Sequence, residues 1–164
     1  MPNALTIRIK KNPGGGASLS CTRVDGTVTW HRHSGAQAAF FPRHDLTHYA
    51  VETVLSTQRG FYTLVADGWD LSDFGTPSPR GKVPADADIV EAIVGFLDLE
   101  RSSGTTAGVN ELNAYIASRS SEQGCPNPTA ITVDELQLIR RKRAELFAKW
   151  HAVRAGDTLE LSFP

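Results

Sequence analysis

The chain has 164 residues, 40% of them hydrophobic and 21% charged, with a net charge of −1. That balance describes one ordinary globular domain, residues 1–164, long enough to bury a real core. Near-neutral charge argues against nucleic acid or an anionic membrane as partner, and no apolar run approaches the roughly 20 residues of a membrane span.

The first residues, MPNALTIRIKKNPGGG, lack the apolar core and cleavage site of a signal peptide, so a cytoplasmic location is expected. Cys21 and Cys125 then read as free thiols, with one disulfide as the alternative.

Residues 4–10 alternate apolar and polar side chains, which predicts a half-buried strand. Asn12-Pro13-Gly14-Gly15-Gly16 ends it. This glycine run lacks the lysine and hydroxyl residue of a phosphate loop and precedes a strand, so it reads as a turn. Strands are expected over 18–24 and 27–33, joined by a two-residue hairpin at Asp25-Gly26. On the second, Val28 and Trp30 share one face, and Thr29, His31 and His33 share the other. His-x-His on a strand is a usable metal-ligand spacing; an exposed polar sheet face is the plainer expectation.

The stretch from Phe40 to Glu52 carries the chemistry. Pro42 suits a first helical turn, where its missing N–H costs nothing, and Asp45 places an acid near the helix start. At about 100° per residue, Leu46, Ala50, Val51, Val54 and Leu55 make a broad apolar face. His44, Asp45, His48, Glu52 and Ser56 fill a narrow wedge opposite. His44 and His48 lie about 6 Å apart along the axis and can share one zinc ion. Glu52 is a further turn away, about 12 Å from His44, so a third ligand is expected from elsewhere. The wedge also reads as the solvated face of an amphipathic helix, or as two histidines, His44 and His48, that simply hydrogen-bond to the fold.

His44-Asp45-Leu46-Thr47-His48 resembles the HExxH helix of the zinc metallopeptidases called zincins. The resemblance implies His44 and His48 as zinc ligands and Asp45 in the position of the general base. Aspartate here is one methylene shorter than the family's glutamate. No EXXXD or HxxGxxH pattern follows to supply the usual third ligand.

Downstream, Phe61, Leu64, Val65, Gly68 and Trp69 recur at helical spacing and predict a short helix. Asp70 and Asp73 are further candidate ligands, although such residues commonly form caps and turns. Residues 75–82 are a Pro/Gly loop. A helix is expected from Pro84, with Ile89, Ile93, Phe96 and Leu97 facing the core and Val90 and Val94 alongside. Val109, Leu112, Tyr115 and Ile116 mark another, and 118–129 a loop that holds Cys125. Thr132-Val133-Asp134-Glu135 is a capping box that opens the longest helix. Its buried face is Leu136, Ile139, Leu146, Phe147, Trp150 and Val153, and Gly156 is its expected stop. The basic residues 140–143 spread around the axis, which makes a solvated, partly salt-bridged surface rather than a nucleic-acid stripe. Residues 158–163 alternate again, as a strand able to pair with the first.

Three strands, several helices and a last strand predict an α+β fold. A small antiparallel sheet, three N-terminal strands plus a C-terminal one, is packed on one side by four to five helices. Four of the five histidines fall between 31 and 48. The function expected from them is divalent-metal binding, as in a zinc-dependent hydrolase of a small-molecule or peptide substrate. His44 and His48 are its ligands and His31 or His33 (or a downstream Asp) the third. Asp45 or Glu52 either accepts a proton in catalysis or orients a ligating histidine. The alternative is a non-catalytic binding or interaction domain with no metal. A third expectation is metal-free acid–base chemistry by His48 paired with Glu52.

Overall fold

The computed structural model describes residues 5–56, 59–75, 79–124 and 128–164; Cys125 lies outside them. Strands β1 (Leu5–Lys11), β2 (Ala17–Arg23), β3 (Val28–His33) and β4 (Thr158–Phe163) form one antiparallel sheet in the order β3-β2-β1-β4. Ile7 pairs with Cys21 and Leu161, and Ile9 with Leu19 and Leu159, so the alternating apolar positions of neighbouring strands fall on one face. Leu5, Ile7, Ile9, Ala17, Leu19 and Cys21 are buried there, each large side chain contributing about 1.5–3 kcal/mol. Burial pushes the Cys21 thiol up to about 12, which keeps it protonated. Arg8, Lys10 and Trp30 lie on the opposite, exposed face.

Both hairpins depend on glycine. Gly16 has φ +75, and a Cβ there would overlap the His33 carbonyl oxygen. The β2–β3 loop has three residues, 24–26, rather than the expected two. The Arg23 N–H donates to the Thr27 carbonyl, the Gly26 N–H to the Arg23 carbonyl, and Gly26 takes φ +86. The Asp25 carboxylate selects this longer form by accepting both the N–H (2.9 Å) and the hydroxyl (2.6 Å) of Thr27.

The helices, α1 (Phe40–Val54), α2 (Phe61–Ala66), α3 (Ala85–Ser103), α4 (Val109–Glu122) and α5 (Val133–Ala152), share one core with the buried sheet face, which makes the fold α+β. None of the described helices is long and apolar enough to cross a membrane. α1 packs against α2, α3 and α5. Leu46, Ala50 and Val51 are fully buried, yet so are most of the polar residues on its other side. Asp45 lies beyond the first turn, and its carboxylate meets His33 rather than the helix start.

α5 begins where the Thr132 hydroxyl accepts the Glu135 N–H. It ends at Ala152, not at Gly156. The Lys11 ammonium caps it by donating to the Trp150 (3.0 Å) and Val153 (2.7 Å) carbonyls. Gly156 serves the following turn, donating to the Lys11 carbonyl. The basic run is partly salt-bridged, since Arg140 and Arg143 both pair with the buried Glu100.

Gly95 sits mid-helix on the exposed side of α3, with nothing within 4 Å of an added Cβ. Gly95→Ala is expected to raise stability by about 0.5–1 kcal/mol, because alanine loses less backbone entropy on folding. Denaturant titration checks the sign.

Candidate metal centre

His44 and His48 stand on successive turns of α1 and face Glu91 of α3. His48 Nε2 lies 2.7 Å from Glu91 Oε2, and His44 Nε2 lies 3.4 Å from Glu91 Oε1. One donor atom from each of the three residues lies within 4.8 Å of the others, the only such group among the described residues. The remaining nitrogen of each ring is held by a carboxylate. His44 Nδ1 is 2.6 Å from Asp98 Oδ2, and His48 Nδ1 is 3.1 Å from Glu52 Oε2. Each imidazole is therefore anchored on one side and turned toward Glu91 on the other, the arrangement in which carboxylates orient metal-ligating histidines. His48, Glu52 and Asp98 are buried, whereas the Glu91 side chain is 54% exposed and forms the open side.

Glu52 has a second task. Its Oε1 accepts the N–H groups of Tyr62 (2.9 Å) and Thr63 (3.4 Å), two of the unpaired donors in the first turn of α2. A Cβ on Gly60 would overlap this carboxylate, so the approach needs glycine there. Both Glu52 oxygens are thus engaged, and Glu52 does not line the adjoining cavity.

The charges follow from these contacts. Burial by itself would depress both histidines, but hydrogen bonds to Asp98 and Glu91 push His44 up to about 9. Hydrogen bonds to Glu52 and Glu91 push His48 up to about 10. Burial works to raise Glu91, yet its hydrogen bonds to the two histidines outweigh that and hold it below the ordinary carboxylate range.

A pH dependence with two opposite signs follows. Without metal, the histidines bind protons more tightly when folded. Their contribution is full below the ordinary histidine value of 6.5 and is lost as pH rises through 9 and 10. Glu91 contributes above its ordinary 4.5 and less as pH falls. The metal-free protein is expected to melt highest between about pH 4.5 and 6.5. A metal ion must displace both protons, so its affinity should rise with pH. Melting curves in EDTA and in zinc, near pH 6 and pH 9, check both signs: the gain from zinc should be larger at the higher pH.

The other expected site residues are placed differently. His33 Nε2 lies 3.1 Å from Asp45 Oδ2, and its ring stacks on Phe41 at 4.5 Å. His31 is exposed, with its ring 5.0 Å from that of His33. Neither belongs to the group formed by His44, His48 and Glu91. The strand face that carries them is the inner one: Thr29 and His33 are buried, while Val28 and Trp30 are exposed. Partners make this burial of polar groups tolerable, since the Thr29 hydroxyl accepts the Leu71 N–H and His33 has Asp45. Asp70 pairs with Arg23, and Asp73, in the 3-10 turn Leu71–Phe74, with Arg80, and neither belongs to the histidine group.

Sequence reasoning missed Glu91 and Asp98. The readable signal was two acids seven residues apart, hence on one side of a helix that otherwise faces the core.

A cavity of about 530 Å³ opens beside the cluster, between β2 and β3, α1, α2, the 3-10 turn and the start of α3. His44, His48 and Glu91 line it together with Asp45, His31 and His33. Its size suits a small-molecule ligand.

The sequence matches no family model, no curated protein and no solved structure. Fold and site together define an α+β protein with a two-histidine, one-carboxylate cluster at the wall of a cavity.

Proposed function

We propose that this protein binds a divalent transition-metal ion, zinc in the first instance, through Nε2 of His44, Nε2 of His48 and the Glu91 carboxylate. We further propose that it is a hydrolase of a substrate held in the cavity. One observation carries the reading: three donor atoms converge within 4.8 Å while each histidine's other nitrogen is anchored to a buried carboxylate. Two imidazoles and one carboxylate are a donor set used by catalytic zinc, which keeps a further position for water. The ion would supply a water acidified to a pKa of about 7. Glu52 and Asp98 keep the histidine rings in register with Glu91. Asp45, paired with His33 on the cavity wall, is the proton acceptor, in the place that the zincin resemblance gives it.

Elemental analysis of the purified, tag-free protein tests this, beside His44→Ala/His48→Ala and Glu91→Gln variants. Near-stoichiometric metal in the wild type, absent from the double variant, is the expected result. No uptake after zinc has been offered would end the reading. The direct 2.7 Å contact between His48 and Glu91 favours a second one, in which the cluster is a protonated ion-pair lock between α1 and α3. Under it the wild type takes up no metal, and Glu91→Gln lowers stability.

A further inference from the structure

We infer that the cavity takes an uncharged ligand with an aromatic or branched apolar body and excludes phosphate and carboxylate anions; this rests on the metal-centre reading above. The wall is apolar, built from the rings of Phe41, Phe61 and Phe74 with Leu64 and Leu71. Among the described lining residues there is no lysine or arginine, and the acids facing the space are Asp45, Asp88 and Glu91. Asp88 is matched by Arg119, at 3.0 and 3.2 Å.

Proteins hold phosphates and carboxylates with arginine forks or with helix N-termini. Both helix starts that approach this cavity are already supplied with acids. Glu52 occupies the N–H groups of α2, and Asp86 and Asp88 sit in the first turn of α3, where Asp86 accepts the Ala87 N–H. Charge argues the same way. A divalent ion at the cluster would face the Glu91 carboxylate, with those of Glu52 and Asp98 behind the two imidazoles, so three negative charges against two leave the site net negative when loaded. An anionic head would enter against that field, whereas a neutral carbonyl would not; a hydroxamic acid likewise arrives uncharged, and on binding zinc as the hydroxamate it passes its proton to a neighbouring carboxylate or to solvent. The selectivity comes from the body of the ligand: burying one phenyl group should strengthen binding about 10- to 100-fold.

The test uses zinc-loaded full-length protein whose zinc content has been measured first. Calorimetric titrations compare acetohydroxamate, benzohydroxamate and phenylphosphonate, with each affinity divided by that of the same probe for free zinc. The expected result is benzohydroxamate at least about tenfold tighter than acetohydroxamate, with phenylphosphonate the weakest after division. Phe74→Ala should remove most of the phenyl gain and leave acetohydroxamate binding and zinc content unchanged. A phenyl gain under about threefold, or phenylphosphonate tightest of the three, overturns the inference while leaving the metal centre standing. Protein that takes up no zinc overturns both, and the elemental analysis identifies that outcome before any probe is added.

Discussion

His48→Ala is expected to abolish metal uptake and, separately, to destabilise the metal-free protein by about 3–5 kcal/mol, which is the usual result of removing one partner from a buried ion pair. The Glu52 side chain is 0% exposed and the His48 side chain 3%, so the variant leaves a buried carboxylate without its imidazole partner. Glu52 would retain only its two backbone donors at the start of α2, with an empty space where the ring had been packed 5.3 Å from that of Phe61. For a chain of this size the melting temperature should fall by about 6–20 °C. Zinc affinity should fall by more than 100-fold, because losing a ligand exceeds the 10- to 100-fold effect of losing the group that orients one. Denaturation in EDTA and zinc calorimetry measure the two effects independently. Metal-free stability within about 1 kcal/mol of the wild type would show that the buried His48–Glu52 pair contributes little to the fold.

Gly60→Ala is the second large effect, and it reaches the site without touching a proposed ligand. Gly60 has φ −133 and ψ −163, extended backbone open to alanine, so no backbone strain is introduced. The whole effect is steric: the new Cβ would overlap the Glu52 carboxylate. That carboxylate cannot withdraw without giving up the Tyr62 and Thr63 N–H groups and His48 Nδ1. Overpacking of this kind costs about 1–3 kcal/mol. Releasing His48 from its anchor should weaken zinc binding about 10- to 100-fold. Gly95→Ala makes the same change of residue with the opposite expected sign, which separates the steric effect at Glu52 from a general effect of alanine. Unchanged zinc affinity in Gly60→Ala would count against Glu52 as the group that positions His48.

The strands, the five helices and the pairing of His44 with His48 are legible in the chain because each depends on local periodicity. A helix fixes the distance between i and i+4 whatever surrounds it, and alternation decides which residues of a strand share a face. Thr29, His31 and His33 share one strand face for that reason.

Which face turns inward is a different matter. Polarity points to an exposed His face and allows a solvated wedge on α1, and tertiary partners bury Thr29 and His33 of the first and Asp45, His48 and Glu52 of the second. Asp45 meets His33, Asp98 meets His44, and Glu52 meets both His48 and the start of α2. A buried polar group is tolerated once its hydrogen bonds are made, and those partners lie 12, 54 and as few as 4 residues away. Glu91, 43 residues from His48, joins the cluster because α3 packs against α1. Local periodicity is enough to fix the elements and to bring His44 and His48 onto one helix face. The packing of α3 and α2 on α1 decided which acids complete the cluster, because contacts between distant helices are set by the shape of the whole core and leave no mark at any fixed spacing.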